Sequence, residues 1–125
     1  MADAKILIIE DDYAIQNMYK LHFENIGYDV KTANDGQEGL SVARSWNPDL
    51  ILLDIKMPIM NGDEMLFKLR ESEKGEKPTK VIVLTNLSRS EAPRSLQFLG
   101  VKRYIVKVYY TPKQVMEIVK EVLGS

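Results

Sequence analysis

A doubly wound α/β fold on a parallel sheet is the expectation for this chain, and three features set it. Short apolar runs recur at 6–9, 50–53, 81–84 and 104–106, each bounded by polar residues, as strands buried on both faces of a parallel sheet are. Stretches with apolar residues at helical spacing lie between these runs. The connections are short, and with right-handed crossovers this alternation lays helices on both faces of the sheet. At 125 residues the chain has the size of one compact domain.

The elements follow in order. After the first strand, Ile15, Met18, Tyr19, His22 and Ile26 fall at spacings of three and four, which predicts a helix with that stripe facing the core. Asp29–Ala33 is a weaker second strand. Trp46, just ahead of Asn47 and Pro48, marks a helix end, and "ESEKGEK" at 71–77 a solvated loop. Ser88 and Glu91 have the spacing of a capping box, but Pro93 lies too deep for a helix starting there, so the fourth helix is predicted to start late or kinked. The last helix is the best marked. Thr111 and Gln114 form a capping box around Pro112, and Val115, Ile118, Val119 and Val122 line one face.

Charge and composition exclude several classes of function. Seventeen basic against eighteen acidic side chains leave a net charge of -1, with no general pull toward nucleic acid or an anionic membrane. The chain has no cysteine, hence no disulfide framework and no thiolate metal site; a cytoplasmic location is the expectation. Met57, Met60 and Met65 read as gap fillers, and the lone His22 as a packed or half-exposed side chain rather than a ligand.

In an open parallel sheet, ligands bind beyond the carboxyl ends of the strands. Glu10, Asp11 and Asp12 follow the first strand, Asp54 follows the third, Thr85 closes the fourth and Lys107 the fifth. Singly, each has a bland explanation, since acids after strands often cap helices. Together they form a carboxylate cluster whose mutual repulsion a cation would relieve. With oxygen ligands alone, Mg2+ is the natural ion. A carboxylate beside such an ion is a plausible nucleophile toward phosphorus, with Lys107 and Thr85 holding phosphoryl oxygens.

The segments "ILIIEDD", "PDLILLDIKMPIMNG", "VIVLT" and "YIVK", with the final amphipathic helix, resemble the receiver domain of two-component response regulators. The likeness covers residues 5–123 in the family's order. It implies a flavodoxin-like five-stranded parallel sheet of order 2-1-3-4-5 with five helices, as a single receiver domain over 1–125 with its core at about 5–123. It further implies that Asp54 is the phosphoacceptor, Asp11 the direct Mg2+ ligand, Glu10 an acid reaching the ion through water, and the Lys56 carbonyl a further ligand beside Asp54. Thr85 corresponds to the hydroxyl that moves onto the phosphoryl group, Lys107 to the lysine that pairs with it, and Tyr104 to the aromatic switch residue. The implied donor is a phosphohistidine on a sensor histidine kinase or histidine phosphotransfer protein. The implied output is an effector docking on the fourth helix, fifth strand and fifth helix, from a monomer or a weak phosphorylation-dependent dimer. Such a protein is no enzyme in the usual sense: it catalyses its own aspartyl phosphorylation and dephosphorylation.

The sequence departs from the family where proline usually follows the lysine in a cis bond, because Val108 follows Lys107. A cis bond before valine costs roughly 3–4 kcal/mol, so the expected bond is trans, with Tyr109 and Tyr110 anchoring a rearranged loop through which Lys107 still reaches the site. Lys56 and Asn86 occupy positions that in the family influence the lifetime of the acyl phosphate. Two rivals remain. A cofactor protein on the same fold lacks its phosphate cradle here, since acids follow the first strand. A receiver-like interaction module that no longer uses phosphorylation is the stronger rival, because of Val108.

Overall fold

The computed structural model describes residues 3–73 and 77–124. Among these residues five strands form one sheet, β1 (Lys5–Ile9), β2 (Asp29–Ala33), β3 (Leu50–Leu53), β4 (Lys80–Thr85) and β5 (Val101–Val106). Every pairing is parallel and the order is β2-β1-β3-β4-β5. Among the described residues four α-helices accompany them: α1 (Tyr13–Asn25), α2 (Gly36–Trp46), α3 (Gly62–Ser72) and α4 (Pro112–Leu123). Two apolar cores fill the spaces above and below the sheet. Ile6, Ile8, Leu50, Leu52 and Ile82 point to the side of α1 and α4, and Leu7, Ile9, Ile51, Leu53, Val81 and Val83 to the side of α2 and α3. Both faces being covered, β3 is buried along its whole length.

The expected fifth α-helix, fourth in chain order, does not form. Two 3-10 turns, Arg89–Glu91 and Arg94–Phe98, stand between β4 and β5. Proline explains the break. It lacks the amide that would continue the first turn and forces its predecessor out of helical geometry, and Ala92 is extended at φ -66°, ψ 144°. Restarting after Pro93, the chain has too few residues for an α-helix before Gly100 turns it at φ 69°.

The helix caps follow the sequence closely. Thr111 and Gln114 make the reciprocal capping box at α4, with Val115, Val119 and Val122 buried. Trp46 ends α2, followed by Asn47 in the left-handed region, and the Lys5 and Lys31 ammonium groups lie over its ring. The stripe on α1 is corrected. Gln16, Tyr19 and Phe23 are the buried positions, while Met18, His22 and Ile26 face outward. Phe23 sits between the rings of Tyr19 and Tyr28, so aromatic packing rather than the count of apolar residues sets which face turns inward. Met57 and Met65 are buried in the α2/α3 core and Met60 packs against it, as gap fillers do. Of the loop expected at 71–77, Glu71 and Ser72 end α3, and 74–76 lie outside the described residues.

One polar cluster ties the far end of the sheet together. The Arg70 guanidinium donates to Glu73 at 2.8 Å, to the Thr79 carbonyl at 2.9 Å and to the Leu99 carbonyl at 2.9 Å. The Thr79 amide donates to the other Glu73 oxygen at 2.9 Å. Burial works to raise the Glu73 pKa, but the Thr79 amide and Arg70 outweigh it and hold the carboxyl below its ordinary range. A folded pKa below the unfolded one means that this contribution is complete above the unfolded carboxylate pKa and is lost as pH falls through the folded value. Glu73→Gln should therefore cost about 1–2 kcal/mol at pH 7, with the gap from the native chain closing toward low pH in denaturant melts. A constant gap across that range would contradict the assignment.

Candidate functional site

Four strands end on the same edge of the sheet, and each delivers a polar group there. Glu10 and Asp11 follow β1, Asp54 follows β3, Thr85 ends β4 and Lys107 follows β5. The register sets Ile9 beside Leu53 and Leu53 beside Val83, so Glu10 and Asp54 leave neighbouring strands at one level. β1 is also where the strand order reverses, with β2 on one side and β3 on the other; this is the crevice in which open α/β sheets bind ligands.

Carboxylate oxygens of Glu10, Asp11 and Asp54 lie within 4.8 Å of one another. Glu10 and Asp54 are buried, whereas Asp11 is exposed. At such a separation two unit charges repel by about 3–4 kcal/mol for an effective dielectric constant of about 20. Lys107 offsets part of this: its ammonium donates to Glu10 and, at 3.1 Å, to Asp54 Oδ2. Backbone amides take the other oxygens. Ile55 N–H donates to Asp54 Oδ1 at 2.7 Å, and Asp12 N–H to Glu10 Oε2 at 3.0 Å.

Burial raises the Glu10 pKa above its ordinary value; Lys107 and the Asp12 amide oppose this, and the Asp54 charge adds to it. For Lys107 burial acts the other way, lowering the pKa, but the hydrogen bond to Glu10 and the charges of Asp54 and Glu10 prevail and raise it. Lys107 is thus a charged ammonium at neutral pH.

The Lys107–Val108 bond is trans, since no cis peptide bond occurs among the described residues. The 3-10 turn Lys107–Tyr109 carries the chain past the site, closed by the Tyr110 amide donating to the Lys107 carbonyl at 3.2 Å. The expected anchoring by Tyr109 and Tyr110 is corrected, because Tyr109 is 78 % and Tyr110 39 % exposed. A backbone bond does that work instead.

Thr85 and Tyr104 both bond to the loop after β4, at Leu87, rather than to the acids. Thr85 is buried, and its Oγ1 accepts from the Leu87 amide at 3.4 Å. The Tyr104 hydroxyl donates to the Leu87 carbonyl at 2.9 Å and the Ser88 carbonyl at 3.3 Å. Lys56 and Asn86 are exposed. The loop carrying Lys56 is fixed on both sides, by Gly62 N–H to the Ile55 carbonyl at 2.7 Å and by Met57 N–H to Asn61 Oδ1 at 3.1 Å.

Two contributors escaped sequence reasoning. Gln16 is buried, and the two N–H groups of its amide nitrogen are shared among the carbonyls of Glu10 at 2.9 Å and Ala33 at 3.1 Å and Asn34 Oδ1 at 3.0 Å. It ties the ends of β1 and β2, yet a glutamine in a helix reads as surface. Gly62 is the other: a Cβ there would lie 2.1 Å from the Asp54 carbonyl oxygen. The "MNG" turn carried that signal.

An oxygen-only donor set with excess negative charge suits a hard divalent cation, and Glu10, Asp11 and Asp54 supply it. Fold and site together define a doubly wound α/β domain with an acidic pocket at the carboxyl ends of its strands. The profile of the response regulator receiver domain matches residues 6–120, and the chain belongs to that family, as its sequence motifs implied. It is 34% identical over 120 residues to the alkaline phosphatase synthesis transcriptional regulatory protein PhoP of Bacillus subtilis, covering 95% of this chain and 48% of that protein. The chain spans about half the length of the curated relatives it matches. Among solved structures it is similar to a CheY-like response regulator receiver domain protein from Methanospirillum hungatei, with TM-score 0.88 and 33% identity over 98% of this chain and 95% of that one. Another is response regulator protein TrrA from Thermotoga maritima, in complex with Mg2+-BeF, with TM-score 0.81 and 31% identity over 95% and 98%.

Removing Lys107 leaves two buried carboxylates without their counter-ion. Lys107→Met should destabilise the domain by about 3 kcal/mol in metal-free denaturant melts, with part of the loss recovered by millimolar divalent cation. An unchanged metal-free midpoint would contradict the role given to the ammonium.

Proposed function

We propose that this chain accepts a phosphoryl group on Asp54 with Mg2+ bound beside it, and signals by a change of conformation. The observation that carries the reading is the state of Asp54: a buried carboxylate at a strand end, oriented by Ile55 N–H and Lys107 inside a cluster of acids. Glu10, Asp11, Asp54 and the Lys56 carbonyl would hold the ion. The Thermotoga maritima relative, solved with Mg2+-BeF, supports the same ligand chemistry. Bound Mg2+ supplies positive charge against the oxygens of the incoming phosphoryl group.

The chain's own residues do the rest. An Asp54 carboxylate oxygen attacks phosphorus, the P–O bond forms as the P–N bond of a phosphohistidine breaks, and the electron pair leaves on the imidazole nitrogen. Lys107, already at Asp54, stays paired with the transferred group. Thr85 releases the Leu87 amide and turns its hydroxyl toward a phosphoryl oxygen. Later attack by water on phosphorus returns free carboxylate and inorganic phosphate. Catalysis is positioning and electrostatics, and the chain is both catalyst and acceptor rather than an enzyme acting on a separate substrate.

The donor is a sensor histidine kinase or a histidine phosphotransfer protein. The effector docks on the face formed by the two 3-10 turns, β5 and α4, with no direct nucleic-acid or membrane partner. The domain works in the cytoplasm as a monomer or weak phosphorylation-dependent dimer. No helix among the described residues is long and apolar enough to cross a membrane. The interaction-module reading drew its support from Val108. Lys107 reaches both acids through a trans bond, and this favours the phosphoacceptor reading.

Acetyl phosphate with Mg2+ should add one phosphoryl group to the native chain and none to Asp54→Asn, read by intact mass. Addition that survives the substitution at full yield would remove Asp54 from its role, and no addition to the native chain would return the module reading.

A further inference from the structure

Tyr104 is held by contacts that owe nothing to Asp54. Its ring packs against the core shared by α2 and α3, and its hydroxyl is turned into the loop after β4, onto the carbonyls of Leu87 and Ser88. Arg89, in the first 3-10 turn, touches it twice. The guanidinium carbon lies 5.7 Å from the ring centroid, within the range of a cation–π contact, and Nη2 donates to the Tyr104 carbonyl at 3.3 Å. The loop that presents Arg89 is itself braced, because Glu91 accepts from the Ser88 amide at 3.1 Å and the Ser88 hydroxyl at 2.7 Å.

We propose that Arg89 is a positioning residue that clamps Tyr104 with its hydroxyl inside the loop after β4, so that the domain holds this inward arrangement before any phosphoryl group arrives. Two contacts from one side chain, to the face of the ring and to the backbone of the same residue, resist rotation of the ring and withdrawal of β5 together. Leu87 then links the two switch residues, its amide on Thr85 and its carbonyl on Tyr104. With Tyr104 already inward, a ligand on Asp54 has only Thr85 to move. Its apparent affinity is higher by the ratio in which Arg89 shifts the two Tyr104 states.

The affinity part rests on Asp54 as phosphoacceptor, whereas the clamp is testable without it. Aromatic NMR of the metal-free native chain, Arg89→Ala and Arg89→Lys addresses the clamp. In Arg89→Ala the Tyr104 ring and the Leu87 and Ser88 amides should move toward the positions of solvent-exposed groups, and Arg89→Lys should restore much of the native spectrum by keeping a cation over the ring. Titration with fluoroberyllate and Mg2+ addresses the consequence: Arg89→Ala should bind about two- to fivefold more weakly and show a larger Tyr104 shift on binding. Identical Tyr104 resonances in the three free proteins would overturn the clamp, and equal affinities with equal shifts would overturn its role in pre-organising the switch. A native chain that binds no fluoroberyllate would count against the phosphoacceptor reading, with the free-protein spectra still deciding the clamp.

Discussion

One ammonium group among three carboxylates is the constraint on which the rest of this structure depends. Glu10, Asp11 and Asp54 lie close enough to repel strongly, and two of them are buried, where water does little to screen them. Lys107, bonded to both buried acids, makes the arrangement tolerable without a metal. The same excess of negative charge that burdens the fold suits a hard divalent cation, so the proposed function would draw on the feature that costs the fold stability.

Bringing these groups together requires the whole sheet. Lys107 is 97 residues from Glu10 and 53 from Asp54 in the chain, and the parallel order, with β3 central between β1 and β4, delivers them to one edge. The edge is set by backbone as much as by side chains. Gly62 lets α3 begin against the Asp54 carbonyl, and Gly36 lets α2 begin against the Met60 carbonyl, approaches that a Cβ would block at 2.1 and 2.3 Å. Ile59, a β-branched residue at φ 70° in the same loop, carries a backbone conformation that costs of order 1–3 kcal/mol. The loop below the acids is held in place rather than left slack.

Most of this was legible in the sequence because it rests on short-range signals. The apolar runs gave the strands, Thr111 with Gln114 gave the last cap, and the acids at strand ends gave the site. What was not legible depends on which of two local tendencies prevails in three dimensions. Ser88 and Glu91 do brace a turn, but Pro93 and Gly100 leave too little chain for an α-helix between β4 and β5. On α1 the apolar residues are spread around the helix, so the inward face is chosen by the Tyr19–Phe23–Tyr28 packing and by the three acceptors waiting for Gln16. The position of Tyr104 was likewise hidden, since nothing in its neighbourhood in sequence says that Leu87, Ser88 and Arg89 will surround it.

Lys107, on a trans bond to Val108, is the counter-ion of the acidic cluster, and under the proposed function it becomes the partner of the group that Asp54 accepts. Crystal structures of the metal-free chain and of its Mg2+ fluoroberyllate complex test this most directly. The expected result is a Lys107 ammonium between Glu10 and Asp54 in the first, and one contacting a fluorine of the Asp54 adduct in the second, with the bond trans in both. A Lys107 side chain turned to solvent in either structure would contradict it.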